Sequence, residues 1–244
     1  MRDRFFVEGV HAPGDEVRFA ADDARKIAVV LRKRTGDRVA VVDSGGGAYE
    51  ATLAVTAGDV SARLDRALER ASAEAGMRIV LAQAIPKGQK MDLVVEKATE
   101  LGIAALVPLR SARVEGDRTG EHKRERWQRI AKSAAQQSGR LVVPEIRTVA
   151  DWPQLTATFA RYDRVYVAWE LAEPAPLRER FESDLGGAQS VLLVIGPEGG
   201  FSAEEVAAAR CAGAVPISLG RRILRTETAA FVVLAALLYA RGEL

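Results

Sequence analysis

Five short apolar runs in the last two thirds of the sequence constrain this chain more than any other feature. They occupy residues 78–84, 105–109, 164–169, 190–195 and 214–219, with room for a helix between most of them. Runs of this length, rich in Val, Ile and Leu, read as strands buried on both faces. Strands separated by helical stretches predict a mostly parallel sheet, because a parallel pair needs a long crossover and the crossover covers a face. Two intervening segments carry helix signals of their own. Met91, Val94, Val95, Ala98 and Leu101 recur at helical spacing, and Gly102 follows where such a helix would stop. Ser202-Ala203-Glu204-Glu205 has the pattern of a capping box, and Gly213 closes the helix it opens.

The chain ahead of these runs has a different character. Residues 38–42 and 51–55 are short strand candidates, and the segment Asp43 to Glu50 between them, with Gly45, Gly46 and Gly47, reads as a hairpin. A dinucleotide loop would need glycine where Glu50 stands and a helix after it. Residues 61–76 are rich in Ala and charge and are predicted to be a linker between a small β-rich domain and a larger α/β domain.

Composition excludes several classes. One cysteine, Cys211, rules out an internal disulfide and suits a reducing cytoplasm; its Ala-rich surroundings predict a small core residue. His11 and His122 stand far apart and offer no zinc spacing. The charged N-terminal segment lacks the apolar stretch of a signal peptide, and the longest apolar run, 229–240, is too short to span a bilayer. It reads as a buried helix. Thirty-five basic residues against 33 acidic ones predict no particular partner, so a nucleic-acid case rests on local clustering. Arg32, Lys33, Arg34 and Arg38 stand against Asp37 alone. Residues 110–147 hold ten basic side chains against five acidic ones, an excess suited to phosphates.

Two glycine-bearing loops follow the last two apolar runs. One is Ile195-Gly196-Pro197-Glu198-Gly199-Gly200-Phe201-Ser202; the other runs from Ser218 through Leu219-Gly220-Arg221-Arg222-Ile223-Leu224-Arg225-Thr226-Glu227-Thr228. In open parallel sheets ligands bind beyond the carboxyl ends of strands, and glycine lets backbone amides and carbonyls approach a flat heterocycle closely. The pattern predicts a ligand site at two consecutive strand ends and does not by itself name the ligand.

At these residues the sequence resembles the ribosomal RNA small subunit methyltransferase E family. The two loops are similar to that family's signature segments. So are residues 87–102, beginning Lys87-Gly88-Gln89-Lys90-Met91-Asp92, as well as Ala135-Gln136-Gln137-Ser138-Gly139-Arg140 and the earlier Val30-Leu31-Arg32. The resemblance implies a SPOUT-type α/β fold with a mostly parallel sheet and a trefoil knot, preceded by a small PUA-like β-barrel. The domains would then be residues 1–72 and 73–244. It implies a homodimer and transfer of methyl from S-adenosylmethionine to N3 of a uridine in 16S rRNA of the small subunit.

On this basis the expected cofactor residues are Ile195, Gly196, Pro197, Glu198, Gly199, Gly200, Leu219, Gly220, Ile223 and Leu224, with Leu171 as a third wall. Arg225 is expected to hold the uracil oxygens or a phosphate, since its planar fork suits both. Glu227 either orients Arg225 or accepts the N3 proton. Arg32, Lys33, Arg34 and Arg140 are the expected RNA contacts. Trp127, Trp152 and Trp169 are expected in the core rather than under stacked bases. The alternatives are a non-catalytic RNA-binding or ribosome-assembly factor and a SPOUT methyltransferase with another RNA target.

Overall fold

The computed structural model describes residues 3–56, 59–68, 74–110, 121–173 and 176–244. It divides into two compact units, Met1–Glu74 with Ala135–Val142, and Ala75–Ala134 with Val143–Leu244. The expected boundary between residues 72 and 73 lies outside the described residues.

The first unit contains β1 (Arg4–Phe6), β2 (Glu16–Arg18), α1 (Ala21–Arg25), a π-helical turn over Lys26–Val30, β3 (Arg38–Val42), β4 (Ala48–Val55) and β5 (Val60–Ala67). The strands form one sheet in the order β1-β3-β4-β5-β2, with β1 and β3 parallel and the other pairs antiparallel. Its core gathers Phe5, Ile27, Val39, Val41, Leu53 and Leu64. The glycine-rich segment is a hairpin, because β3 and β4 pair up to Val42 and Ala48. Asp43 clamps its turn, accepting hydrogen bonds from the amides of His11 at 2.9 Å and Gly47 at 2.6 Å. Burial pushes the Asp43 carboxyl up, but these bonds outweigh it and leave it below the usual aspartate value.

The expected linker begins with a strand instead. In β5 Val60, Ala62 and Leu64 are buried while Arg63, Asp65 and Arg66 are exposed, so the charges that resembled a linker line the open face of a pleated strand.

The second unit carries β6 (Arg78–Ala84), α2 (Lys90–Glu100), β7 (Ala105–Arg110), most of α3 (Glu121–Ser138), β8 (Glu145–Ile146), β9 (Ala150–Asp151), α4 (Trp152–Thr156), β10 (Arg164–Ala168), α5 (Leu177–Asp184), β11 (Ser190–Ile195), α6 (Ala203–Cys211), β12 (Val215–Ile217) and α7 (Thr226–Ala240). Every strand pair in its sheet is parallel, in the order β12-β10-β11-β6-β7-β8, with β9 also on β7. Successive side chains alternate between the two faces. Ile79, Leu81, Val191, Leu193 and Ile195 face a core shared with α2, α5 and α7. Val80, Ala82, Leu192 and Val194 face a second core with Trp152 of α4 and Val206 of α6.

The capping box is present as predicted, with Ser202 Oγ accepting from the Glu205 amide and Glu205 Oε2 accepting from the Ser202 amide at 2.9 Å. Trp127 and Trp152 are buried and Trp169 is half-buried. Cys211 is exposed rather than in the core, because α6 packs through Glu205, Val206 and Ala209, and a position two residues past Ala209 falls on the opposite side of the helix. No described helix is long and apolar enough to cross a membrane.

Candidate active site at one edge of the parallel sheet

Because the sheet is parallel, the carboxyl ends of β12, β10, β11 and β6 share one edge. The two glycine loops leave from β12 and β11. They are not neighbours, as the sequence order had implied. β10 stands between them, because the crossover through α6 carries the chain past β10 before β12 pairs with it. The segment Trp169 to Leu171, which follows β10, is therefore bracketed by the two loops. Leu171, expected as a third wall, follows the strand that lies between the two loop-bearing ones.

The β11 loop turns sharply. The Gly200 amide donates to the Pro197 carbonyl at 3.0 Å, and Gly200 has φ of +67°. A Cβ on Gly200 would lie 2.5 Å from Glu170 Oε1, and one on Gly196 would lie 3.2 Å from the Phe201 ring. Phe201 is buried and stacks against Trp152 at 4.7 Å, which fixes the far side of the loop. The β12 loop is held differently. Gly220 has φ of +103° and donates its amide to Ser218 Oγ at 3.3 Å. Leu219 and residues 221–224 make no backbone hydrogen bond among the described residues. Unpaired backbone of this length is available to a ligand. Leu171 and Ile223 are 72% and 84% exposed, apolar side chains held out at the same sheet edge. A cavity of about 200 Å³ opens beside the end of β12, with Leu177, Ile217 and Ser218 in its wall.

Two polar clusters fasten the start of α7 to this edge. Thr226 donates from Oγ1 to the Gly196 carbonyl at 2.5 Å and accepts from Gln83 Nε2 at 2.8 Å. Gln83 and Thr226 are both buried, so β6, the β11 loop and α7 are joined through one hydroxyl. In the second cluster Lys90, at the start of α2, places Nζ 3.4 Å from Glu198 Oε1 and 3.6 Å from Glu227 Oε2. Glu198 Oε1 also accepts from the Lys87 amide at 3.1 Å. Burial pushes the Glu198 carboxyl up. Its own amide, the Lys87 amide and the Lys90 ammonium outweigh that and hold it below the ordinary glutamate value.

The expected cofactor residues thus lie on segments that leave one sheet edge, the edge to which the start of α7 is fastened. The structure separates the expected pair Arg225 and Glu227. Arg225 is the exposed N-cap of α7 and has no ion pair among the described residues, whereas Glu227 is buried and faces Lys90. The first turn of the helix points the two side chains apart. Lys90 entered the sequence reading only as part of the family-like segment 87–102 and Gln83 not at all, since the partners that give each a role lie far along the chain.

Of the expected RNA contacts, Arg32 and Arg34 are exposed, while Lys33 pairs with Asp3 at 2.9 Å. Arg140 is a correction. It is 2% exposed and its guanidinium is bound to Glu74 through Nε at 3.1 Å and Nη2 at 2.5 Å, so it ties up its own unit and offers nothing to a phosphate. Of the other basic residues counted there, Arg113 and Arg118 lie outside the described residues.

Residues 73–238 match the RNA methyltransferase domain family. The chain is 32% identical to ribosomal RNA small subunit methyltransferase E of Bacillus subtilis over 245 aligned positions, covering 97% of this chain and 96% of that one. A Legionella pneumophila methyltransferase solved with bound S-adenosylmethionine superposes with a TM-score of 0.87 at 31% identity, covering 98% of each chain. The Neisseria gonorrhoeae ribosomal RNA small subunit methyltransferase E bound to S-adenosylmethionine gives 0.85 at 27% identity, again over 98% of each. A mixed α/β fold with a parallel sheet, a ligand-ready edge and end-to-end similarity of this kind have one common source: the chain belongs to the ribosomal RNA small subunit methyltransferase E family.

Proposed function

We propose that this protein methylates N3 of a uridine in 16S rRNA of the small ribosomal subunit, using S-adenosylmethionine. The observation that carries the reading is the run of unpaired backbone in the β12 loop, with the exposed apolar side chains of Leu171 and Ile223 and the tight turn at Gly200 at the same sheet edge. Backbone donors and acceptors with apolar walls suit an adenosine moiety. When bound, the cofactor supplies a methyl on a sulfonium, which is already a good leaving group. The residues around it have the harder task, because uracil N3 carries a proton at neutral pH. They must position the base, take that proton and stabilise charge spreading to the flanking carbonyls. Arg225, unpaired and exposed, suits the carbonyl oxygens; Glu227 suits the proton. Incubating small-subunit RNA with the protein and S-adenosylmethionine, then digesting to nucleosides, should yield N3-methyluridine. Methylation only at ribose or at another base atom would refute the assignment.

The fold reading extends to a SPOUT-type knot, in which the chain after β12 passes the β11 loop before forming α7; the Thr226 bond to the Gly196 carbonyl supports it. The five-stranded unit, residues 1–72 in this reading, is a PUA-like RNA-binding domain ahead of a methyltransferase domain at 73–244. The enzyme works in the cytoplasm, where the small subunit is made. It is a homodimer: Val232, Ala235 and Tyr239 of α7 stand at helical spacing on a side of the helix that is only partly covered, with Val232 37% and Tyr239 60% exposed. Light scattering should return twice the chain mass; an active monomer at all concentrations would refute the dimer.

RNA docks on the first unit through Arg32 and Arg34. Arg32 is the only described non-glycine residue with positive φ, at +53°. Such a conformation costs a residue with a Cβ about 1 kcal/mol or more and persists where something else is gained. Arg32→Gly removes both the strain and the charge. It should therefore leave thermal stability unchanged or higher while weakening RNA binding, with the log–log salt slope smaller by about 0.7–0.9 for one lost phosphate contact. Parent-like RNA affinity across a salt series would remove Arg32 from the interface.

A further inference from the structure

Lys90 stands where three chain segments meet: α2, the β11 loop and α7. Glu227 is 9% exposed, and its Oε2 has no hydrogen-bond donor among the described residues. Among the described residues the cation paired with it is the Lys90 ammonium, 3.6 Å away and beyond the 2.7–2.9 Å of a charge-assisted hydrogen bond. The same ammonium leans 3.4 Å from Glu198, which belongs to the β11 loop and is itself fixed by the Lys87 amide. A buried carboxylate oxygen is normally satisfied by donors. Here one is left with open lone pairs beside the ligand-ready edge, near an ammonium that two carboxylates share.

We infer that Lys90 is a positioning residue that holds Glu227 Oε2 ready to receive a proton from the substrate base, and couples that carboxylate to the cofactor loop through Glu198. The inference rests on the reading of the protein as a uridine-N3 methyltransferase. In the step itself the N3–H bond breaks and its proton passes to Glu227 Oε2. The freed N3 electron pair forms the bond to the methyl carbon, and the methyl–sulfur bond breaks with its pair left on sulfur. Lys90 keeps its own protons throughout. Its function is geometric: an ammonium attracted by two carboxylates sets where the mobile one rests.

The test uses full-length Lys90→Gln, Lys90→Arg, Glu227→Gln and the double variant Lys90→Gln/Glu227→Gln. Single-turnover methylation of unmodified small-subunit RNA is measured with S-adenosylmethionine affinity by calorimetry, RNA affinity by anisotropy and thermal unfolding without cofactor. Lys90→Gln should slow the chemical step by about 10- to 100-fold, as expected when a proton-transfer partner is misplaced. Its RNA affinity should stay within about threefold, and its unfolding temperature within a few degrees, of the parent, since a half-exposed ion pair contributes little to stability. Lys90→Arg, which keeps the cation, should recover most of the rate. Adding Lys90→Gln to Glu227→Gln should cost little more, because residues acting as a unit are not additive. A parent-like rate in Lys90→Gln, or losses that simply multiply in the double variant, would overturn the role of Lys90 and leave the function standing. A parent protein that binds S-adenosylmethionine and small-subunit RNA but forms no N3-methyluridine would overturn both.

Discussion

Gly200→Val weakens binding of S-adenosylmethionine by at least about 100-fold, or 2.7 kcal/mol, while the protein still unfolds cooperatively. The steric part of the effect is the smaller one. The new Cβ would meet Glu170 Oε1 at 2.5 Å, but Glu170 is exposed and its carboxylate can swing away. The backbone is the larger part. Gly200 has φ of +67°, where a β-branched side chain collides with its own carbonyls, so valine drives the residue out of that region. Leaving it breaks the 3.0 Å bond from the Gly200 amide to the Pro197 carbonyl and opens the turn of the β11 loop. Gly200→Asn separates the two parts, since asparagine tolerates positive φ; it should retain more affinity than valine despite similar bulk. Calorimetry on both variants decides the matter, and parent-like affinity in Gly200→Val would place the cofactor elsewhere.

Arg225→Ala lowers turnover by about 100-fold or more without loss of stability, the scale seen when one charge-stabilising donor is removed from an active site. Arg225 occupies the N-cap of α7 with φ −65° and ψ 151°, and its side chain makes no capping bond. Ser, Thr, Asp or Asn would stabilise that position by roughly 1 kcal/mol, and a cation at the positive end of a helix is unfavourable. Arginine there lowers helix stability, so its presence needs a role outside folding. The structure also removes the alternative of an internal Arg–Glu tie, because Glu227 faces Lys90. The measurement is kcat on small-subunit RNA, with cofactor affinity and unfolding temperature measured alongside. Normal turnover in a folded, cofactor-competent Arg225→Ala would move charge stabilisation to Arg221 or Arg222, which are likewise exposed in the β12 loop.

Much of the α/β fold was legible because it depends on local chemistry. The runs at 78–84 and 190–195 are strands with those bounds, and Ser202 caps α6 through the predicted pair with Glu205. Both glycine loops lie at the sheet edge where ligands collect. What was not legible depends on partners distant in sequence. Periodicity carries no strand order, so β10 between β11 and β12 was invisible, and with it the placing of Leu171 between the two loop-bearing strands. Arg140 reads as one more basic residue until Glu74, 66 positions away, is seen to bind it. Lys90 is equally mute, since its meaning comes from Glu198 and Glu227, more than a hundred residues downstream. β5 misled for a different reason: its charges lie on one face, and composition averages faces that the pleat separates.

The central claim is that this sheet edge methylates a uridine of 16S rRNA at N3. The direct measurement is a position-resolved map of base methylation in small-subunit RNA from cells that contain the protein, cells that lack it and cells that carry only Arg225→Ala. One uridine carrying an N3 methyl in the first, and unmodified in the second and largely so in the third, is the predicted result. Identical maps from cells with and without the protein would contradict it.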